Sequence, residues 1–195
     1  GLGIPAEPLF RSASICVIPD PLSFIPTHHS SMNKKRVIAV GRYVYQKGFD
    51  LLLRAWAIIE KQHLDWELSI FGEGERAPYR QLMESLSIDG SRCHLHGTTS
   101  NIQQEYVNSS LLAFSSRFEG FGMVLIEAMA CGLPVVSFAC PCGPRDIISD
   151  RVDGILVPKD SVDEFSKSLS KLMDNEDLRV SMAQNAIKKA SHFQI

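Results

Sequence analysis

The 195-residue sequence has no surplus of charge of either sign and no long hydrophobic run. It contains 20 Lys and Arg against 22 Asp and Glu, and 45% of its residues are hydrophobic. Binding along a nucleic-acid backbone normally needs an excess of basic residues, so this balance gives no reason to expect nucleic acid as a partner. The longest strongly apolar stretch, residues 51–59, is interrupted by Arg54 and is far shorter than the roughly 20 residues that cross a bilayer. We therefore expect one globular domain without a transmembrane segment.

Common metal-binding and nucleophilic patterns are absent as well. The five cysteines include no CxxC pair, and Cys140 and Cys142 are too close in sequence for the usual paired metal ligands. Cys16, Cys93 and Cys131 stand among apolar residues, which predicts buried free thiols and hence a reducing, cytoplasmic compartment. No HExxH, helical i, i+4 histidine pair or GxSxG is found. The sequence predicts neither a metal site nor a serine hydrolase.

From Arg36 onward, short β-branched runs alternate with segments of helical spacing. Strands are predicted at residues 37–40, 66–71, 93–96, 111–115, 134–138 and 154–157. Helices are predicted at residues 49–62, 76–86, 101–108, 121–131, 144–148, 162–172 and 177–190. Because the strands are apolar almost throughout, both faces of the sheet must be covered, which indicates an α/β fold with a doubly wound, Rossmann-like parallel sheet. Residues 1–35 are predicted as a lead-in or linker segment, with a short strand at 14–18, and residues 36–195 as the ligand-binding domain.

Two cations follow the first predicted strand. Ligands of doubly wound sheets bind outside the carboxyl ends of the strands. There the loop from Gly41 to Gly48 carries Arg42 and Lys47. The planar fork of Arg and the compact ammonium of Lys suit a diphosphate without a metal ion. The alternative is that both cations are merely solvated, but their position at a strand end favours the diphosphate.

The loop after the fourth predicted strand, EGFGMVLIE at residues 119–127, has a glycine-rich start and two carboxylates. Gly120 and Gly122 allow close approach of the backbone to a ligand, and the helix start that follows directs N–H groups and a positive dipole end at an anion. Glu119 and Glu127 can accept hydrogen bonds from sugar or ribose hydroxyls. The alternative for each is a solvent-facing residue or a partner of the helix dipole.

A competing signal follows the second predicted strand. Residues 72–77, GEGERA, fit GxGxxA, a pattern found in nicotinamide-dinucleotide enzymes. The match is weak, because that fingerprint belongs on the first strand and requires an acid about 20 residues further on, whereas position 94 is His. We interpret Gly72 and Gly74 as a tight turn near a ligand.

In combination these segments resemble the carboxyl-terminal, donor-binding domain of the retaining family 4 glycosyltransferases, which have a two-domain GT-B fold and an EX7E motif. The likeness is carried by EGFGMVLIE, GRYVYQKG, CVIPDPLSF, FGEG, LHG and AMACGLPVVSF followed by GPRDII. It implies transfer of a sugar from a UDP-sugar or GDP-sugar to a glycan or lipid-linked acceptor, with retention and without a metal or other cofactor. From the resemblance we expect the amino-terminal, acceptor-binding domain of the family to be missing from this chain. We therefore expect a fragment that binds nucleotide but transfers sugar poorly alone.

The resemblance also implies roles for individual residues. Arg42 and Lys47 are expected to stabilise the leaving diphosphate and Glu119 to orient the donor sugar, which makes these three the implied catalytic residues. Donor binding is implied for Gly41, Gly72, His96, Ile102, Gly120, Phe121, Gly122, Met123, Val124 and Glu127. Among these, the amides at 122–124 are assigned to phosphate, Glu127 to ribose, and Gly72, His96 and Ile102 to the base. A catalytically silent nucleotide-sugar-binding module is the alternative function. In the full-length enzyme, peripheral contact with the inner membrane through the missing domain is a further implication.

Overall fold

Six short strands form a parallel sheet in the computed structural model, which describes residues 22–193. The strands are β1 (Arg36–Val40), β2 (Glu67–Phe71), β3 (Cys93–His96), β4 (Leu111–Phe114), β5 (Val135–Phe138) and β6 (Gly154–Val157). Their order across the sheet is β3-β2-β1-β4-β5-β6. All neighbouring strands run parallel. The order therefore reverses between β1 and β4, which is where a doubly wound sheet opens a crevice for a ligand.

Within the described residues, seven helices cover the two faces of this sheet. They are α1 (Phe49–Ile59), α2 (Ala77–Ser85), α3 (Ile102–Val107), α4 (Met123–Ala130), α5 (Pro144–Ile147), α6 (Val162–Asp174) and α7 (Glu176–Ala190). Two short 3-10 turns, Tyr45–Lys47 and Ser191–Phe193, complete the regular structure. Side chains of α1, α2 and α6 form one hydrophobic cluster with the sheet, and those of α3, α4 and α5 form the other. The expected Rossmann-like class is confirmed.

The alternation of side chains along each strand divides the core into these two clusters. Val37 and Ala39 of β1 pack on the face covered by α1, whereas Ile38 packs on the opposite face. Trp56 of α1 and Tyr106 of α3 are the largest fully buried side chains on the two faces. A strand that buries both faces has little room for polar residues, which is why the inner strands β1, β4 and β5 are mostly apolar.

The strands and helices predicted from periodicity are all present, with shifts at their ends. The helix predicted over residues 49–62 ends at Ile59, where Glu60 turns its carboxylate toward the amide of Asp89 (3.2 and 3.3 Å). The helix predicted over 121–131 begins at Met123, because Gly122 adopts a left-handed φ of 95° that a helix cannot include. Cys93 and Cys131 are buried free thiols as predicted, and burial raises the pKa of each to about 12.

The lead-in segment is described from Leu22 onward. Residues 22–35 contain no helix or strand, and backbone hydrogen bonds join them to the carboxyl-terminal 3-10 turn and to the residue after α4. The amide of Leu22 donates to the carbonyl of Phe193 (3.0 Å), and the amide of Ser30 donates to the carbonyl of Cys131 (2.9 Å). The short strand predicted at residues 14–18 and the thiol of Cys16 lie outside the described residues.

Candidate functional site

The loops that follow β1 and β4 touch each other at the point where the strand order reverses. Gly48 has a left-handed φ of 62°, and a Cβ at this position would lie 2.1 Å from the carbonyl oxygen of Ser115. The hydroxyl of Ser115 in turn donates to the carbonyl of Lys47 (2.8 Å). The glycine is thus required both for the turn and for the contact, and the contact fixes the position of Lys47.

A buried arginine binds the same two loops together. Arg117 donates to both carboxylate oxygens of Asp50 (2.8 and 2.7 Å) and to the carbonyl of Tyr45 (2.7 Å), and its guanidinium lies 4.0 Å from the Tyr45 ring centroid. Burial favours the neutral form of Asp50, but the hydrogen bonds from Arg117 outweigh burial and hold the pKa of that carboxyl below its usual 3.8. The hydrogen bonds to Asp50 also raise the pKa of Arg117. We call the ion pair of Arg117 with Asp50, together with the bond to Tyr45, the clamp; it was not predicted from the sequence.

We expect the clamp to contribute measurably to stability. In a double-mutant cycle of Arg117→Ala and Asp50→Ala, urea unfolding should give a coupling free energy of roughly 2 kcal/mol, because the pair is bidentate and Arg117 is largely buried. The exposed pair Lys167–Glu164 is the matched control, with an expected coupling of about 0.5 kcal/mol or less.

The pH dependence of this coupling has a definite sign. The pKa of Asp50 is lower in the folded than in the unfolded chain, so the contribution is fully present above the usual carboxyl pKa. It is lost as the pH falls through the lowered folded value. An equal coupling for the clamp and for the exposed control pair at neutral pH would show that the clamp adds no more stability than an exposed ion pair.

Lys47 and Glu119 form an ion pair where the two loops meet. The Lys47 ammonium lies 2.7 Å from a Glu119 carboxylate oxygen, and the side chains are only 16% and 7% exposed. The stem of Lys47 passes over Gly41, where a Cβ would come within 3.0 Å of it. The structure therefore brings three sequence-predicted residues together at the sheet edge. Arg42 is exposed and makes no ion pair with any residue between 22 and 193.

The start of α4 lies in the loop that carries Glu119. Gly122 precedes the helix, and no side chain between residues 22 and 193 caps the amides of its first turn, which includes Met123 and Val124. Uncapped N–H groups and the positive end of the helix dipole favour an anion at this place. Gly120 is exposed. The carbonyl of Phe121 packs on Gly143, where a Cβ would lie only 2.2 Å from it.

A small cavity lies between the ends of β1 and β2 and helix α3. Its volume is about 220 Å³, and its lining is mostly apolar. The lining residues are Val40, Phe71, Gly72, Thr98, Thr99, Ile102 and Glu127. Three residues predicted to bind the donor, Gly72, Ile102 and Glu127, thus share one cavity. His96 is not among its lining residues: its ring is stacked on Phe71, with centroids 4.3 Å apart.

Hydrogen bonds occupy both oxygens of Glu127. The hydroxyl of Tyr106 donates to one oxygen (3.2 Å), and the hydroxyl of Ser23, in the lead-in segment, donates to the other (2.5 Å). Burial raises the pKa of Tyr106 well above its usual value, and the nearby Glu127 carboxylate adds to this effect, so the phenol stays a donor. Neither Tyr106 nor Ser23 was singled out from the sequence.

The sequence matches the model of a family described as glycosyl transferases, group 1, over residues 24–189. The chain belongs to this family. The amylovoran biosynthesis glycosyltransferase AmsD of Erwinia amylovora is 36% identical over 179 residues, which cover 86% of this chain and 50% of AmsD. An uncharacterized glycosyltransferase of Haemophilus influenzae is 31% identical over 179 residues, which cover 91% of this chain and 50% of that protein. This chain thus spans about half the length of these relatives.

The group 1 glycosyl transferase domain also resembles solved structures. TarM of S. aureus, determined with Fondaparinux, alpha-GlcNAc-glycerol and UDP, gives a TM-score of 0.83 at 25% identity, covering 94% of this chain and 37% of TarM. The parallel sheet with helices on both sides corresponds to one half of a GT-B glycosyltransferase. Among residues 22–193 no cluster of three or more His, Cys, Asp or Glu could hold a metal ion. Within the same residues no helix is both long and apolar enough to span a membrane.

The fold also bears on the GxGxxA segment of this glycosyl transferase domain. Gly72 follows β2 rather than the first strand, and a Cβ there would lie 1.7 Å from the carbonyl oxygen of Gly41. Gly74 has a left-handed φ of 123° and packs on Tyr43. Both glycines thus serve backbone contact between the loops after β1 and β2. This packing accounts for both glycines, so the GxGxxA spacing does not require a bound dinucleotide.

Proposed function

We propose that this chain is the donor-binding domain of a retaining, metal-independent glycosyltransferase of family 4 that uses a UDP-sugar. One observation carries the proposal: the Lys47–Glu119 ion pair, largely buried, at the point where the strand order reverses. At this point the Lys47 ammonium, which suits a negatively charged leaving group, lies beside the Glu119 carboxylate, which suits sugar hydroxyls. The two residues lie 72 positions apart in the sequence, so the loops after β1 and β4 must both be in place to form the pair.

The proposed chemistry follows from where charge develops. When the bond between the anomeric carbon and the diphosphate breaks, its electron pair remains on the diphosphate. Lys47, Arg42 and the uncapped amides at Met123 and Val124 can stabilise that negative charge without a metal ion. The carboxylate of Glu119 can accept hydrogen bonds from the hydroxyls of the sugar and orient it. Retention of configuration rests on the resemblance to family 4.

The cavity beside Glu127 is the proposed site of the nucleoside. Its carboxylate can accept from ribose hydroxyls, while Val40, Phe71 and Ile102 offer apolar surface to a base. UDP is proposed because TarM, a structural neighbour, was determined with UDP. A GDP-sugar is the second candidate. In this proposal the ring of His96 contacts Phe71, on which it is stacked, and does not itself contact the base.

The acceptor and the cellular place are proposed from the relatives. Because the chain spans about half of AmsD, sugar transfer is proposed for a whole protein in which another domain holds a glycan or lipid-linked acceptor. The name of AmsD supports an acceptor in polysaccharide biosynthesis. We place the enzyme in the cytoplasm, with peripheral contact at the inner membrane through that other domain.

Calorimetric titration of the 195-residue chain with UDP and GDP tests the proposal. We expect UDP to bind, and Arg42→Ala to weaken it about tenfold, because a charged hydrogen bond to a phosphate is lost. Lys34→Ala is the matched control: it removes one exposed charge at the opposite edge of the sheet, before β1. We expect it to leave the affinity unchanged.

Two results would contradict the proposal. If neither UDP nor GDP binds, the donor site is wrong. If the complete enzyme binds a UDP-sugar but transfers nothing to any acceptor, the domain is a silent nucleotide-sugar-binding module instead.

A further inference from the structure

Tyr106 connects the hydrophobic core to the proposed ribose site. It lies on α3, is fully buried, and packs in the cluster formed with α4. Its hydroxyl is 3.2 Å from one oxygen of Glu127, and no other partner of this hydroxyl is found among residues 22–193. A buried phenol that bonds only to a carboxylate fixes the direction in which that carboxylate points.

The direction matters because Glu127 lines the cavity beside β1 and β2. A carboxylate offers about four lone-pair sites, two on each oxygen. The hydroxyls of Tyr106 and Ser23 take one site on each oxygen. One site on each oxygen therefore remains, which matches the two adjacent hydroxyls of a ribose. The two protein donors differ: Tyr106 is immobilised in the core, whereas Ser23 is exposed on the lead-in segment, where water can replace it.

We propose that Tyr106 is a positioning residue that holds the Glu127 carboxylate in the orientation that recognises the vicinal diol of a ribonucleotide. The inference rests on the proposed function, because it assigns the cavity at Glu127 to a nucleoside. Tyr106 does not touch the nucleotide; it acts through the carboxylate. Its contribution is therefore present only for ligands that carry the ribose hydroxyls.

The test compares UDP with 2′,3′-dideoxy-UDP in calorimetric titrations of the 195-residue chain. The unsubstituted chain is expected to bind UDP at least tenfold more tightly, since the dideoxy ligand has no hydroxyls to donate to the two remaining sites of the carboxylate. Tyr106→Phe keeps the ring in the core and removes only the hydroxyl. We expect it to weaken UDP about tenfold and to leave the affinity for dideoxy-UDP unchanged.

Tyr43→Phe is the matched control. The Tyr43 hydroxyl is also buried, but it donates to the backbone carbonyls of Ile70 and His96 (2.8 and 3.0 Å) rather than to a carboxylate. Its loss is expected to change the affinities for both ligands by the same factor. Ser23→Ala is expected to change the UDP affinity less than about twofold, because water takes the place of an exposed hydroxyl.

A double-mutant cycle with Glu127→Gln provides a second measurement. Adding Tyr106→Phe to that variant is expected to cause no further loss of UDP binding. Tyr106→Phe can also lower the thermal midpoint of the chain strongly. In that case the midpoint shifts caused by UDP and by dideoxy-UDP are compared within the variant, which still measures the preference for the ribose hydroxyls. Equal weakening of both ligands in Tyr106→Phe, or a further loss in the double variant, overturns the positioning role alone. Failure of the unsubstituted chain to bind any nucleoside diphosphate overturns the proposed function and the inference together.

Discussion

Replacing Lys47 by methionine is expected to lower sugar transfer by the complete enzyme by a factor of about 10² to 10³, the size expected when one electrostatic contact to a developing negative charge is removed. Methionine keeps most of the length of the side chain over Gly41 and removes the ammonium. UDP binding by this chain is expected to weaken as well. Transfer rates and calorimetric affinities measure the two effects separately.

The same change is expected to lower stability, because it leaves the buried carboxylate of Glu119 without its partner. Removing one member of a largely buried ion pair costs roughly 3 kcal/mol of unfolding free energy. Adding Glu119→Gln should restore most of that loss, since a neutral amide replaces the unpaired charge. It should not restore UDP binding. Recovery of UDP binding in the double variant would contradict the role proposed for Lys47.

Lys167→Met is the matched control for Lys47→Met. Lys167 also pairs with a glutamate, Glu164, but both side chains are mostly exposed, at 71% and 51%. An exposed pair of this kind contributes about 0.5 kcal/mol or less. We expect transfer, UDP affinity and stability to remain close to those of the unsubstituted protein.

Gly72→Ala is expected to destabilise the domain more than Lys47→Met does. The added Cβ would lie 1.7 Å from the carbonyl oxygen of Gly41 and 2.7 Å from its carbonyl carbon. Both atoms belong to backbone, which cannot move aside as a flexible side chain does. We expect the unfolding free energy in urea to fall by about 4 kcal/mol or more, together with loss of UDP binding.

Gly90→Ala tests whether this loss is specific. Gly90 lies in the turn before β3, and a Cβ there would meet no atom of the described part of the chain within 4 Å. The same chemical change should therefore alter stability by about 0.5 kcal/mol or less. If Gly72→Ala behaved like Gly90→Ala, the close contact between the loops after β1 and β2 would not exist in solution.

The sequence was sufficient to predict the elements and the edge of the sheet that carries the candidate site. Short apolar runs located the six strands because most of their residues are buried; β3, at one edge of the sheet, is the exception and is mainly half-buried. These runs also placed Lys47 and Glu119 at strand ends, and the structure shows them in contact. The order of the strands could not be predicted in the same way, because it depends on which strands pair. The periodicity of a single strand contains no information about its partner.

The long-range contacts that support the candidate site could not be predicted from the sequence, for a different reason. Arg117 and Asp50 are 67 positions apart, and nothing in either local segment identifies the other as its partner. Tyr106 lies within the helix predicted over residues 101–108, and nothing in that segment distinguishes it from its neighbours. The sequence also did not show that the ring of His96 stacks on Phe71, its partner on β2. Long-range contacts of this kind become visible only once the loops are placed.

The hydrogen bond between Leu22 and Phe193 brings the first and last described residues together. The described part of the chain therefore enters and leaves the domain at one point. Ser23 is the next residue after Leu22 and bonds to Glu127, so the segment that is fixed to Phe193 also reaches the cavity proposed for the nucleoside.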